Sequence, residues 1–233
     1  MANSAEPGPA PFPTGPVFFN IAVKALLLGL LLFIFKGRAA WAAGWLYLAL
    51  YSAWSVGNTV LLLRRHPGLL LKRLMFAPEP AAGPDRFFAK AAPLLAAVTL
   101  TVCAVYGDWP RGGWWLLPRL LAFAGIAAAY GLASWAMACN AFAMKAVLIQ
   151  AEQVVVRAGP YAAVRHPVYA ASLLLCVCTP AALGSLRGFA PAALVAALLA
   201  AHAGFEDRFL AAKLAGYGEY SAQVRWKLIP GVW

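Results

Sequence analysis

Three clusters of polar residues stand out in an otherwise apolar chain. The first is Gly159-Pro160-Tyr161 followed by Arg165-His166-Pro167-Val168-Tyr169. Gly-Pro sets a turn with a fixed backbone angle. A residue before proline avoids the α region, so His166 is extended, and Pro167 then suits the first turn of a helix. This places an imidazole at a helix N-terminus, where a ligand carboxylate is favourably held. On residue types alone, Arg165 and His166 could equally mark a membrane boundary.

The second cluster is His202, Glu206 and Asp207. His202 and Glu206 are four apart and share a helix face. Asp207 is turned about 100° from Glu206 and is expected to face a basic loop. Ionisable side chains at the inner end of an apolar helix are costly and point to function, although a structural His–Glu pair has the same spacing. The third cluster is the tail. Gly216-Tyr217-Gly218-Glu219-Tyr220 leads into Arg225-Trp226 and Leu228-Ile229-Pro230-Gly231, a composition suited to a lid at headgroup level. His66-Pro67 resembles His166-Pro167 but lacks the preceding Gly-Pro-Tyr, and is read as a loop histidine.

Several chemistries are excluded. There is no Gly-rich phosphate loop ending in Lys-Ser/Thr, no H-E-x-x-H and no nucleophile elbow. Cys103, Cys139, Cys176 and Cys178 lack zinc-type spacing and are read as small core residues, so no metal site is expected. Transport would want polar residues at mid-membrane, and only Asn58, Thr59 and Ser134 are candidates.

The elements that must hold these clusters are membrane helices. Of 233 residues, 63% are hydrophobic and 12% charged, whereas a soluble domain is about 45–50% apolar and about 25% charged. A net charge of +11 raises nucleic-acid binding, but the basic residues punctuate apolar runs and form no stripe. The expected fold is all-α and integral to a membrane. Six spans of roughly 20 apolar residues are placed at about 17–35, 41–63, 88–106, 114–138, 168–183 and 189–205. The last two form a hairpin turning at Gly184-Ser185. Residues 1–16, rich in proline, read as a flexible leader without a cleavable signal. Residues 17–138 form a four-helix region, and 139–233 the chemical core. Lys and Arg crowd residues 64–90, 145–165 and 208–227, against Lys36, Arg38, Arg111 and Arg187 opposite. This bias puts both termini and the polar clusters in the cytoplasm, in an inner-membrane protein.

Taken together, G-P-Y-x-x-V-R-H-P-x-Y, a short apolar hairpin, E-D-R-x-L and G-Y-x-E-Y-x-x-x-V-R-x-x-L-I-P-G resemble the isoprenylcysteine carboxyl methyltransferase family, a relative of the phospholipid methyltransferases. The resemblance runs from about Asn140 to the C-terminus; the earlier helices are similar only in character. It implies a membrane enzyme using S-adenosyl-L-methionine in a cytoplasmic-face pocket formed by the C-terminal half. Tyr161, His166, Pro167, Val168, Tyr169 and Glu206 would line the cofactor, with Gln150, Gln153, Val154, Val155 and Val156 adding contacts. Two departures bear on the substrate. The family often has arginine where this chain has His202, and histidine where it has Gln153. A guanidinium holds a carboxylate bidentately at any pH, and imidazole does not.

The expected activity is methyl transfer to a lipophilic small-molecule or lipidated acceptor at the cytoplasmic membrane face, first of all an isoprenylcysteine-type carboxylate, with membrane lipids as the other expected partners. His202, Glu206 and Arg165 are the candidate catalytic residues. A carboxylate needs no general base, whereas a thiol or amine would call on His202. The competing readings are a phospholipid amine or thiol methyltransferase, an NADPH-dependent sterol-type reductase, and a non-enzymatic membrane scaffold. No nucleic-acid partner is expected.

Overall fold

The computed structural model describes residues 14–75, 83–108, 115–144 and 147–233, and among them only helices, turns and loops occur. Apolar runs without breakers form α1 (Thr14–Lys36), α2 (Ala42–Arg65), α4 (Gly83–Tyr106), α5 (Leu116–Cys139) and α7 (Phe189–Lys213). These five are long and apolar enough to cross a membrane. Their outer faces carry Leu26, Leu27, Leu30 and Ile34 on α1 and Leu116, Leu117, Leu120 and Leu121 on α5, all exposed. Such faces suit lipid.

About six membrane helices were expected, with the last hairpin short; five are of full length and the sixth is shorter. Helix α6 (Pro167–Leu183) has 17 residues, about 26 Å at the usual rise, against a hydrocarbon core of about 30 Å. It starts at Pro167 and stops at Gly184, which adopts φ 78° while the Ser185 amide bonds the Pro180 carbonyl at 2.9 Å. Helix α1 begins at Thr14, inside the stretch read as a leader. Pro16 belongs to the first turn of α1, where a missing N–H costs no helical hydrogen bond; residues 1–13 lie outside the described residues. The basic stretch after α2 is not only loop. It contains the short helix α3 (Pro67–Met75), and α4 begins at Gly83, so Asp85 is helical. Helix α7 continues two turns past Phe205, and the tail forms α8 (Tyr217–Gln223).

Helices α5 and α6 share the largest helix interface. They approach closely because Gly125 has no side chain: a Cβ there would collide with the Cys178 sulfur. The core around them contains Leu32, Tyr47, Cys103, Ile126, Tyr130 and Leu183. Trp54 stacks on Tyr130 at 4.5 Å and donates its indole N–H to the Ser134 hydroxyl at 2.9 Å. The polar candidate Ser134 is thus used in helix packing, as is Thr179, 3.4 Å from the Tyr47 hydroxyl. The four cysteines are free. The start of α4, the end of α5, the start of α6 and the end of α7 meet at one end of the bundle, and the chemistry-bearing residues collect there.

Candidate functional site

A cavity of about 760 Å³ opens at this end of the bundle. One wall is the chain between α5 and α6. It leaves α5 through Asn140, whose side-chain oxygen accepts the Phe142 amide at 2.9 Å and whose amide donates to the Tyr161 hydroxyl at 3.1 Å. The strip 153–156 lines the cavity. It ends at a 3₁₀ turn, Gly159–Ala162, entered with Gly159 at φ +61°. Burial raises the Tyr161 hydroxyl to about 12, so it stays neutral at working pH.

The Arg165-His166 segment is pinned by the tail. The Arg165 amide donates to the Trp226 carbonyl and the His166 amide to the Lys227 carbonyl, both at 2.9 Å. The Tyr220 hydroxyl reaches back to the Tyr161 carbonyl at 2.8 Å. Behind them lies Asp207. Its Oδ1 accepts the Tyr217 hydroxyl at 2.8 Å and sits 3.0 Å from Arg165 Nε and 3.3 Å from His166 Nε2. Its Oδ2 accepts from the other end of the Arg165 guanidinium at 3.2 Å, with Lys227 at 3.7 Å. The expectation that Asp207 faces a basic loop describes this arrangement, but its consequence for Arg165 differs from a catalytic role. The guanidinium lines the cavity, yet its charge is already spent on Asp207 and a further N–H on the Ser221 carbonyl.

Glu206 faces the other way, onto the cavity. It is within hydrogen-bonding reach of the Tyr169 hydroxyl. Among the described residues no lysine, arginine or histidine forms an ion pair with it. A carboxylate partly withdrawn from water without a counter-charge is costly.

Of the residues singled out from sequence, Gln153, Val154, Val155, Val156, Tyr161, Arg165, His166, Pro167, Val168, Tyr169 and Glu206 line the cavity. Gln150 does not; its side chain braces the wall by donating to the Phe142 carbonyl at 3.0 Å, while its backbone N–H bonds the Gln153 side chain at 2.9 Å. His202 does not line it either. The imidazole is buried, stacked on Phe88 with ring centroids 3.7 Å apart and planes 4° from parallel. Between it and the cavity stands Asp85, 1% exposed, with Oδ1 3.4 Å from His202 Nε2.

Asp85, Phe88, Arg73 and Asn140 are lining residues that sequence reasoning missed. The available signal for Asp85 was its rarity: the chain has only eight acidic residues, and this one enters the first turn of an apolar helix. His66 caps α2 and bonds the Ala138 carbonyl at 2.9 Å, away from the cavity lining. No cluster of three or more His, Cys, Asp or Glu fit for a metal exists among the described residues.

No curated protein matches the chain. The phospholipid methyltransferase family matches residues 118–216. That stretch contains α5 from Pro118 onward, the lining strip, the 3₁₀ turn, α6 and α7; it stops before α8 and excludes Asp85 and Arg73. Over residues 118–216, less than half of its length, the chain is thus similar to the phospholipid methyltransferase family.

Proposed function

We propose that the protein is a membrane methyltransferase that binds S-adenosyl-L-methionine in this cavity and methylates a lipophilic acceptor. The observation that carries the reading is Glu206, a cavity-facing carboxylate without a cationic partner among the described residues. The cofactor supplies an activated methyl group on a positively charged sulfur, together with an ammonium and a carboxylate. Glu206 fits either cation. His166, at the start of α6, fits the carboxylate. Tyr161 and the 153–156 strip supply a half-polar wall, and the tail, through Tyr217, Tyr220 and Trp226, helps close it against water. A sterol-type reductase would need a cationic wall for the NADPH 2′-phosphate. Here Arg165 is neutralised by Asp207, Glu206 and Asp85 are acidic, and Arg73, the other lining guanidinium, donates to the Ala143 carbonyl.

The acceptor would come laterally from the bilayer along Phe88, Ala89, Ala92, Pro93 and Leu199, the apolar lining on α4 and α7. In this reading the cavity faces the cytoplasm, where the cofactor is. Holding the polar head in line with the methyl group supplies much of the rate. The resemblance favours a carboxylate acceptor of the isoprenylcysteine type. One observation favours the amine or thiol alternative: where the family often has arginine, this chain has His202 with a buried aspartate beside it.

The test is to incubate membranes containing the protein with methyl-labelled S-adenosylmethionine and extract them with organic solvent. The reading expects label in the lipophilic fraction, abolished by Glu206→Ala. A folded wild type that labels no lipophilic acceptor contradicts it.

A further inference from the structure

We propose that Asp85, anchored by the Val147 amide with His202 beside it, takes the proton released by the methyl acceptor, and that the accepting atom is therefore a proton-bearing one, a thiol or an ammonium. The inference rests on the methyl-transfer reading above and assigns the acceptor end of the same cavity.

Three features of Asp85 carry it. It lines the cavity although only 1% of its surface is exposed, so a ligand there meets it out of bulk water. One oxygen, Oδ2, is anchored by the Val147 amide at 3.3 Å. The other, Oδ1, accepts no hydrogen bond among the described residues, and His202 Nε2 lies 3.4 Å away without the alignment of one. The carboxylate thus keeps an acceptor position in hand. The imidazole plane behind it is set by Phe88 on one face and by Tyr169, whose ring is 5.9 Å away at 73°. His202 is off the cavity wall and acts through Asp85, as a positioning residue.

The surrounding charges are mixed. Facing the pair are Glu206 one turn along α7, Tyr169 and His166 on α6, and Arg73 from α3 on the common wall. An acceptor carboxylate would arrive already deprotonated, to meet the carboxylates of Asp85 and Glu206, while the Arg73 guanidinium on the same wall already donates to the Ala143 carbonyl. With a thiol or ammonium, the acceptor's bond to hydrogen breaks and the proton passes to Asp85. The freed electron pair forms the bond to the methyl carbon, and the electrons of the broken methyl–sulfur bond stay on the cofactor sulfur. Charge and atoms balance without a further reactant.

The test uses the full chain in lipid nanodiscs with 1-decanethiol, decylamine and decanoic acid as probes. Binding of each is measured by calorimetry without cofactor, and turnover as S-adenosylhomocysteine released. The proposal expects the thiol or the amine to bind and turn over and decanoic acid to do neither. Asp85→Asn should weaken probe binding at least tenfold and cut turnover by about 100-fold, the scale of a lost general base, with the limb of the pH–rate profile abolished. Asp85→Glu should recover part of both. His202→Gln should shift that limb and leave S-adenosylmethionine affinity within about twofold, as should Asp85→Asn. Preference for decanoic acid, failure of both thiol and amine to bind, or an Asp85→Asn protein with wild-type binding and pH profile overturns the proposal. Failure of S-adenosylmethionine itself to bind the wild type strikes the methyl-transfer reading instead.

Discussion

Glu206 and Asp207 are adjacent in sequence yet do opposite things: Asp207 is engaged by Arg165, His166, Tyr217 and Lys227, while Glu206 has no cationic partner among the described residues. The turn of about 100° between neighbours on a helix sends one carboxylate into the scaffold and the other into the cavity. The first makes a wall rigid; the second leaves it hungry for positive charge.

Asp207→Asn keeps the shape and removes the charge that Arg165 answers. Losing one partner of a largely buried pair, 9% and 14% exposed on its two side chains, is expected to cost about 2–3 kcal/mol. The tail should loosen with it, because Tyr217 is bonded directly to Asp207 and Trp226 and Lys227 hold the Arg165-His166 backbone. Thermal melts and hydrogen exchange of residues 217–233 check this; a wild-type melting temperature with unchanged exchange would refute it.

Gly159→Ala tests the turn that presents Tyr161. The residue sits at φ +61°, and a Cβ would strike the Cys139 sulfur and come within 3.0 Å of the Trp135 indole nitrogen. The backbone alone costs about 1–2 kcal/mol, and overpacking adds at least about 1 kcal/mol. Adding Cys139→Ala should return part of the lost stability by freeing the space that sulfur fills. The two melting temperatures decide it.

Alkaline pH should open the tail. Tyr161 is raised by burial from 10.0 to about 12. Tyr217 is raised by burial and by the Asp207 carboxylate, and Tyr220 by burial and Tyr161. A phenol whose folded pKa is raised binds its proton more tightly when folded. Its stabilisation is complete below about pH 10 and is lost as pH climbs through the folded value. Melting temperature is therefore expected to decline from about pH 10 upward, and Tyr217→Phe to decline less steeply from a lower start. Parallel declines in the two proteins would contradict the assignment.

How much of this was legible in the sequence depends on the range of the interactions. The long spans, the hairpin turn at Gly184 and the His166-Pro167 helix start are local matters of hydropathy, glycine and proline, and they read directly. Only part of the lining was named, through the family resemblance rather than local pattern: residues 153–156, Tyr161, Arg165 to Tyr169, and Glu206. Asp85 did not read. Its partner His202 lies on α7, and nothing in the basic stretch around it distinguishes a buried carboxylate from a solvated one. His202 was legible as a buried ionisable group, but that Phe88 would cover its ring was not. Helices α3 and α8 are too short, at nine and seven residues, to show a periodicity against the charged and glycine-rich runs they come from.

The central claim is that the Glu206 cavity binds S-adenosylmethionine. Calorimetry on the purified chain in detergent tests it most directly, with S-adenosylhomocysteine, NADPH and Glu206→Ala alongside. The account predicts micromolar binding of S-adenosylmethionine, at least tenfold weaker in Glu206→Ala, and no binding of NADPH. A folded protein that binds neither S-adenosylmethionine nor its demethylated product would contradict the account, and NADPH binding in their place would turn it toward a reductase.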